Sequence, residues 1–428
     1  MDVDGGVRSA NSQTEEGGAV TKRTRWRLLV LAGTMLVTTA PHASTGPALS
    51  ALTAPANSAV TAASNPAGLT RLKRSEWVVQ LQAFSTDSTF VTTADSYSGV
   101  TEEDSSGSVV FPSLFFARPI SERLTFGFSI SIPGGLGEDL DDDGPQRYLL
   151  DEWSLGFVSV APAIGYRLNE RWSLGAGLNI NYFVLDYESA VFNFDPTIGD
   201  GKMEIEASDL TVGFQLGLLY EVTDRTRIGV SYRSENDPEL SDRPEFSNLG
   251  PLRQQLLDQG GVLNQEITLE NQFPQIITAG LYHQFTNDVE FTVDVAWIDF
   301  SEFGFSEVRL GSQSLTTAPT DYEDIWAVSA GVSWPVKDRW KLKFGAVYAS
   351  SGVEDENRTF ALRLDEIWGV GVGAEYQWRD DRVLGVNLSY FEIGDGPTET
   401  DVPLRGRLAG EFSDREAIGI DFTFRWLR

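Results

Sequence analysis

The sequence predicts an all-β protein, a transmembrane antiparallel β-barrel of about 14 strands, from alternation, the rhythm of its connections and the placing of tryptophan. From Trp172 every second residue is apolar (Trp172, Leu174, Ala176, Leu178, Ile180, Tyr182, Val184), while Ser173, Gly175, Gly177, Asn179 and Asn181 lie between. Successive side chains of a strand point to opposite faces, so one face suits lipid and the other water or a narrow lumen. Beyond Trp77, short connections such as Asn169-Glu170 and 286–288 alternate with long ones such as 134–152 and 237–271. Outer-membrane barrels have this rhythm, with short periplasmic turns and long extracellular loops. Trp77, Trp172, Trp334, Trp340, Trp378 and Trp426 fall beside short turns, and Trp153, Trp297, Trp326 and Trp368 beside long loops. Two interfacial belts are expected.

The elements follow in order. Leu28 to Ala40 is apolar and preceded by Lys22, Arg23, Arg25 and Arg27, which reads as a signal peptide over 1–43 with an extended n-region, cut near Ala43-Ser44. A segment over 44–75 precedes the barrel, which occupies 76–428. Alternation places strands at 76–90, 107–117, 123–133, 153–168, 171–188, 204–222, 226–236, 272–285, 289–300, 322–335, 339–349, 366–379, 382–393 and 413–427. An even number returns both chain ends to the periplasmic side. The inward rows are rich in small and polar residues, for example Gly127, Ser129, Ser131, Gly385, Asn387 and Ser389, which leave room inside.

Composition narrows the function. The net charge is -29, so nucleic acid is not an expected partner. There is no cysteine and hence no thiolate chemistry. The run Asp139-x-Asp141-x-Asp143-Gly144 imitates an EF-hand loop, but Pro145 follows the glycine and Leu150 stands where a bidentate Glu is required. No metal and no cofactor are expected. His283 is the only histidine after the leader, and no motif marks a serine beside it, so no enzymatic function is expected.

Ala62-Ala63-Ser64-Asn65-Pro66-Ala67-Gly68-Leu69 lies just before the first strand. With Pro274–Phe303, which ends in an Asp-Val-Ala-Trp strand and a Ser-x-Phe loop, and the strand pairs of Tyr322–Tyr390 with Glu356-Asn357-Arg358 between them, it resembles the FadL/TodX family. Those outer-membrane transporters carry long-chain fatty acids and other hydrophobic compounds. The resemblance implies a monomeric barrel in a Gram-negative outer membrane, among lipid and lipopolysaccharide, occluded by a short N-terminal hatch. A hydrophobic small molecule such as a fatty acid would diffuse in passively by an extracellular groove and leave sideways at a kinked third strand. Asn65, Pro66, Ala67 and Gly68 match the hatch motif, and Pro133, Gly134 and Gly135 are the expected kink. The segment is shorter than the family's usual hatch and lacks its Gly-rich start. Alternatives are a similar barrel acting as scaffold or secretion partner, and a general porin.

In the fourth long loop, Leu249, Leu252, Leu256 and Leu263 approximate one helical face between Pro251 and Gly260-Gly261. The resemblance makes Leu249, Leu252, Leu256 and Leu257 groove contacts, with Phe192 and Phe194 of the third long loop as the facing wall. A carboxylate inside an apolar lumen needs a cation. Alternation puts Arg233, Lys341 and Lys343 on inward faces, which makes them candidates.

Overall fold

A computed structural model describes residues 52–140, 143–315, 321–360 and 362–428. The expected leader, residues 44–51 and Asp141 of the acidic run lie outside the described residues.

The barrel strands are β1 (Glu76–Thr92), β2 (Glu102–Pro119), β3 (Leu124–Asp139), β4 (Glu152–Arg167), β5 (Trp172–Val191), β6 (Gly201–Thr223) and β7 (Thr226–Arg233). They continue with β8 (Ile276–Gln284), β9 (Glu290–Ile298), β10 (Ile325–Lys337), β11 (Trp340–Ala349), β12 (Ile367–Arg379), β13 (Arg382–Ile393) and β14 (Gly406–Leu427). Each pairs antiparallel with its sequence neighbour, and β14 closes on β1 from Glu76↔Leu427 upward, making a closed 14-strand barrel. Closure pairs every strand with a neighbour on each side, and an unpaired peptide group facing hydrocarbon costs several kcal/mol, so the early stop of the ladder between β2 and β3, beyond Leu114↔Ile130, stands out. The ribbons Glu245–Ser247 and Gly396–Val402 extend β6 and β14 among the loops, and a separate small sheet is built from the loop segments Glu239–Asp242, Ile267–Gln272, Gly304–Leu310 and Gln313–Leu315.

Several strands run past their expected limits. β2 starts at Glu102 and β14 at Gly406, because the staves continue into the loop region: Glu102, which is exposed, pairs with Val91, and Glu103, which is buried and accepts from Gln146 Nε2 at 2.8 Å, pairs with Phe90. Leu174, Leu178, Ile180 and Tyr182 are exposed on the outer face of β5, while Ser173, Asn179 and Asn181 are buried inside. Trp326 and Trp368 are exposed, as an interfacial belt requires. Trp153 departs from the expected belt. It lies in the inward row with Leu155 and Phe157 and packs against the interior clusters, because strand parity, not height, decides which face a side chain takes.

Candidate functional site

Residues 52–75 fill the lumen near the short-turn end. Helix α1 (Thr61–Ser64) and a 3₁₀ turn (Pro66–Arg71) are joined at Asn65, whose Oδ1 accepts the Ala67 N–H at 3.2 Å. Asn65 is fully buried, and its Nδ2 donates to the carbonyls of Thr53 at 2.9 Å and of Leu218 in β6 at 3.2 Å. One amide thus caps the turn, closes the segment on itself and ties it to the wall. Pro66 at the first position of the turn has no N–H to leave unsatisfied. A β-carbon on Gly68 would meet the Thr61 hydroxyl at 2.2 Å, so the fourth motif residue must be glycine.

The wall is shaped to receive this segment. Gly127, Gly165, Gly175, Gly217 and Gly229, on five successive strands, lie against Leu69, Pro66, Asn65 and Thr53 so closely that a β-carbon would stand 2.1–2.7 Å from them or their neighbours. Polar ties surround the contact: Gln215 Nε2 donates to Ala62 O at 2.7 Å, Arg227 Nε to Ala54 O at 2.7 Å, and the Thr53 N–H to Asp294 Oδ2 at 3.0 Å. On the far side Arg425 donates to Asn57 O at 2.9 Å. The space left by the inward glycines is therefore occupied by the chain's own N-terminal segment. Beneath it a polar cavity of 740 Å³ opens at the short-turn end, lined by Thr70, Leu72, Lys73, Arg123 and Arg167.

Above this plug the lining changes character. The inward row of β5 runs Ser173, Gly175, Gly177, Asn179, Asn181 and then Phe183 and Leu185, both buried. Phe183 stacks on Phe157 of β4 at 4.6 Å between ring centroids, and Phe273 touches both, at 4.6 and 5.6 Å. The aromatic run continues through Phe303 to Phe300 and Tyr322. The sequence reading missed these residues. Their signal was the switch from small polar to large apolar within one inward row.

Phe157 sits in register with Gly134, where the wall is interrupted. β2 and β3 pair from Pro119↔Thr125 only to Leu114↔Ile130. β3 continues along β4, but its register jumps between Ser131↔Ser159 and Gly134↔Phe157. Three steps on β3 then match two on β4, so one extra residue is bulged out and the inward parity reverses. Pro133 lacks the amide hydrogen that a continuous ladder needs. Pro133, Gly134 and Gly135 thus coincide with a gap between β2 and β3 beside the apolar interior.

At the loop end, helix α2 (Pro251–Gln259) starts at Pro251 and is followed by Gly261 at φ 68°, within one residue of the expected limits. Its Leu252 and Leu256 are 54% and 43% exposed, and Leu249 and Leu257 are half-buried. Arg253 Nε donates to Phe192 O at 2.9 Å and its guanidinium lies over the Phe194 ring, which joins the helix to the third long loop. Phe192 and Phe194 stand edge to face at 5.6 Å. Phe192 also meets Tyr148, whose hydroxyl donates to Asp200 Oδ2 at 2.7 Å. Burial, and then this hydrogen bond, push the Tyr148 phenol up to about 12, so it remains a neutral donor.

The cation candidates have partners within the protein, Arg233 in the lumen segment and the two lysines in the wall. Arg233 donates to Ala63 O at 3.3 Å, Lys341 pairs with Glu290 at 3.0 Å, and Lys343, 2% exposed, pairs with Glu375. His283 shares a hydrogen bond with Thr226 at 2.8 Å. No group of residues among those described is arranged to hold a metal ion.

Residues 28–425 match the family described as outer membrane protein transport protein (OMPP1/FadL/TodX). A long-chain fatty acid transport protein of Escherichia coli O6:H1 is 22% identical over 309 residues, covering 65% of this chain and 69% of that one. Outer membrane protein P1 of Haemophilus influenzae is 21% identical over 307 residues, covering 65% and 64%. Among solved structures, a FadL homologue of Pseudomonas aeruginosa superposes with a TM-score of 0.80 at 17% identity, covering 92% of this chain and 99% of that one. The Pseudomonas putida toluene transporter TodX gives 0.62 at 18% identity, covering 86% and 94%. These likenesses and the closed barrel place the protein in a Gram-negative outer membrane.

Proposed function

The chain belongs to the OMPP1/FadL/TodX family of outer-membrane transport proteins, and from that membership we propose that it carries hydrophobic small molecules inward by passive diffusion. The ligand is captured at the loop end by Leu252 and Leu256 of α2 together with Phe192 and Phe194. It then passes along the apolar interior around Phe273, Phe183 and Phe157. The hatch turns it sideways through the gap between β2 and β3 at Pro133-Gly134-Gly135. No covalent step is involved: transfer between apolar surfaces is driven by removing hydrocarbon from water, at about 25 cal/mol per Å².

The observation that carries this reading is the junction of Phe157 with Gly134, where the apolar lining meets the interrupted ladder directly above the plug. A plug tied to strands on opposite sides of the lumen weighs against a general aqueous porin. Mass spectrometry of compounds that co-purify with the detergent-extracted barrel, then uptake of the candidate by a deletion strain with and without the gene, tests the proposal. Uptake independent of the gene would refute it.

A further inference from the structure

Arg405 stands at the tip of a hairpin. Val402 pairs with Gly406, the Arg405 N–H donates to Val402 O at 3.0 Å, and the turn is completed by Leu404 at φ 66° and Gly406 at φ 109°. The turn directs the guanidinium against aromatic rings from three other loops: Phe192 at 4.8 Å, Tyr97 at 5.1 Å and Tyr148 at 5.1 Å. Each ring is held independently. The Tyr97 N–H donates to Arg407 O at 2.8 Å and its hydroxyl to Pro145 O. Tyr148 is anchored on Asp200, and Arg253 holds the Phe192 carbonyl. Neighbouring arginines are neutralised: Arg147 pairs with Asp200, and Arg407 with Asp95 and Glu399. Among the described residues no carboxylate pairs with Arg405, in a chain with 62 acidic residues against 33 basic ones.

A planar cation set against aromatic rings keeps N–H groups at its edge for an anion, and here the Tyr97 hydroxyl shares that edge. The ring at 4.8 Å, Phe192, is also the one that continues through Phe194 toward the exposed leucines of α2. We infer that Arg405, boxed by Tyr97, Tyr148 and Phe192, recognises the carboxylate of an acidic amphiphile whose apolar tail lies along Phe192, Phe194 and α2. The loop end thereby selects acids over neutral hydrocarbons before the ligand reaches the lumen. This rests on the uptake reading above and adds the head-group class to it.

The test uses the full-length barrel in phospholipid vesicles at neutral pH, with labelled oleate and labelled oleyl alcohol as probes. Partition into protein-free vesicles is subtracted, and folding of each variant is confirmed by its heat-modifiable electrophoretic mobility. Wild type is expected to bind oleate roughly tenfold or more tightly than the alcohol, the scale of one charge-assisted bidentate contact. Arg405→Gln removes that preference by weakening oleate alone, and Arg405→Lys retains part of it. If Arg405→Gln weakens both probes equally, or neither, the inference is overturned. If wild type binds both equally, head-group recognition falls while the uptake reading stands. If wild type binds neither, both fall.

Discussion

A β-carbon on Gly175 would stand 2.1 Å from the Ala67 nitrogen, so β5 and the hatch meet backbone to backbone. The contact admits no methyl group, and a β-carbon on Gly217 would likewise stand 2.2 Å from the side-chain Oδ1 of Asn65. The motif Asn65-Pro66-Ala67 is therefore matched by glycines more than a hundred residues away in the chain.

Gly175→Ala with Gly217→Ala should displace the hatch while the barrel stays closed, since each added methyl group would point at Ala67 or Asn65 in the lumen and the backbone ladder to the neighbouring strands is kept. Overpacking of this kind costs about 1–3 kcal/mol per site. Planar-bilayer recordings should show larger and noisier conductance than wild type; unchanged conductance would mean that the hatch does not set the pore.

Deleting Pro133 removes the extra residue between Ser131 and Gly134 and lets β3 follow β4 in one register. The barrel should fold, and uptake should fall to the level of the deletion strain. Uptake at the wild-type rate would exclude the gap as the exit.

Leu252→Asp with Leu256→Asp alters two exposed side chains, so stability should change by no more than about 0.5 kcal/mol each. Ligand binding should nevertheless be lost. A folded double variant that transports normally would place capture elsewhere.

Lys343 is buried against Glu375. Lys343→Met alone leaves a buried carboxylate uncompensated and should cost about 3–5 kcal/mol in urea unfolding from vesicles. Adding Glu375→Leu should recover most of that loss. If the double variant also transports normally, Lys343 serves the wall and not the ligand.

The Tyr148 phenol, raised to about 12 in the folded state, is protonated there at pH values where a free tyrosine has ionised. Its contribution to loop order is thus complete below pH 10 and is lost as pH rises toward 12. Titration followed at the phenolate absorbance should lose one tyrosine's share of its late step in Tyr148→Phe.

Much of this architecture could be read from the chain. Period-two alternation from Trp172 to Val184 carries its own geometry, and Pro251 and Gly260 mark the ends of α2 by local backbone chemistry. The Pro133-Gly134-Gly135 interruption was legible for the same reason, since proline cannot donate to a ladder wherever it sits. Trp153 was misjudged because its height along β4 said nothing of its face. Arg405 was not legible at all, for its three rings come from segments that only loop packing brings together.

The sequence alone determined the staves, their order and their lipid-facing rows, because these depend on residues one and two positions apart and on the sign of each turn. What the inward rows meet was decided by tertiary structure. Gly175 and Phe183 share one face of one strand, yet the first lies against the hatch and the second against an apolar interior. That difference depends on which distant segment reaches each height in the closed barrel, and closure joins residues hundreds of positions apart, such as Glu76 and Leu427.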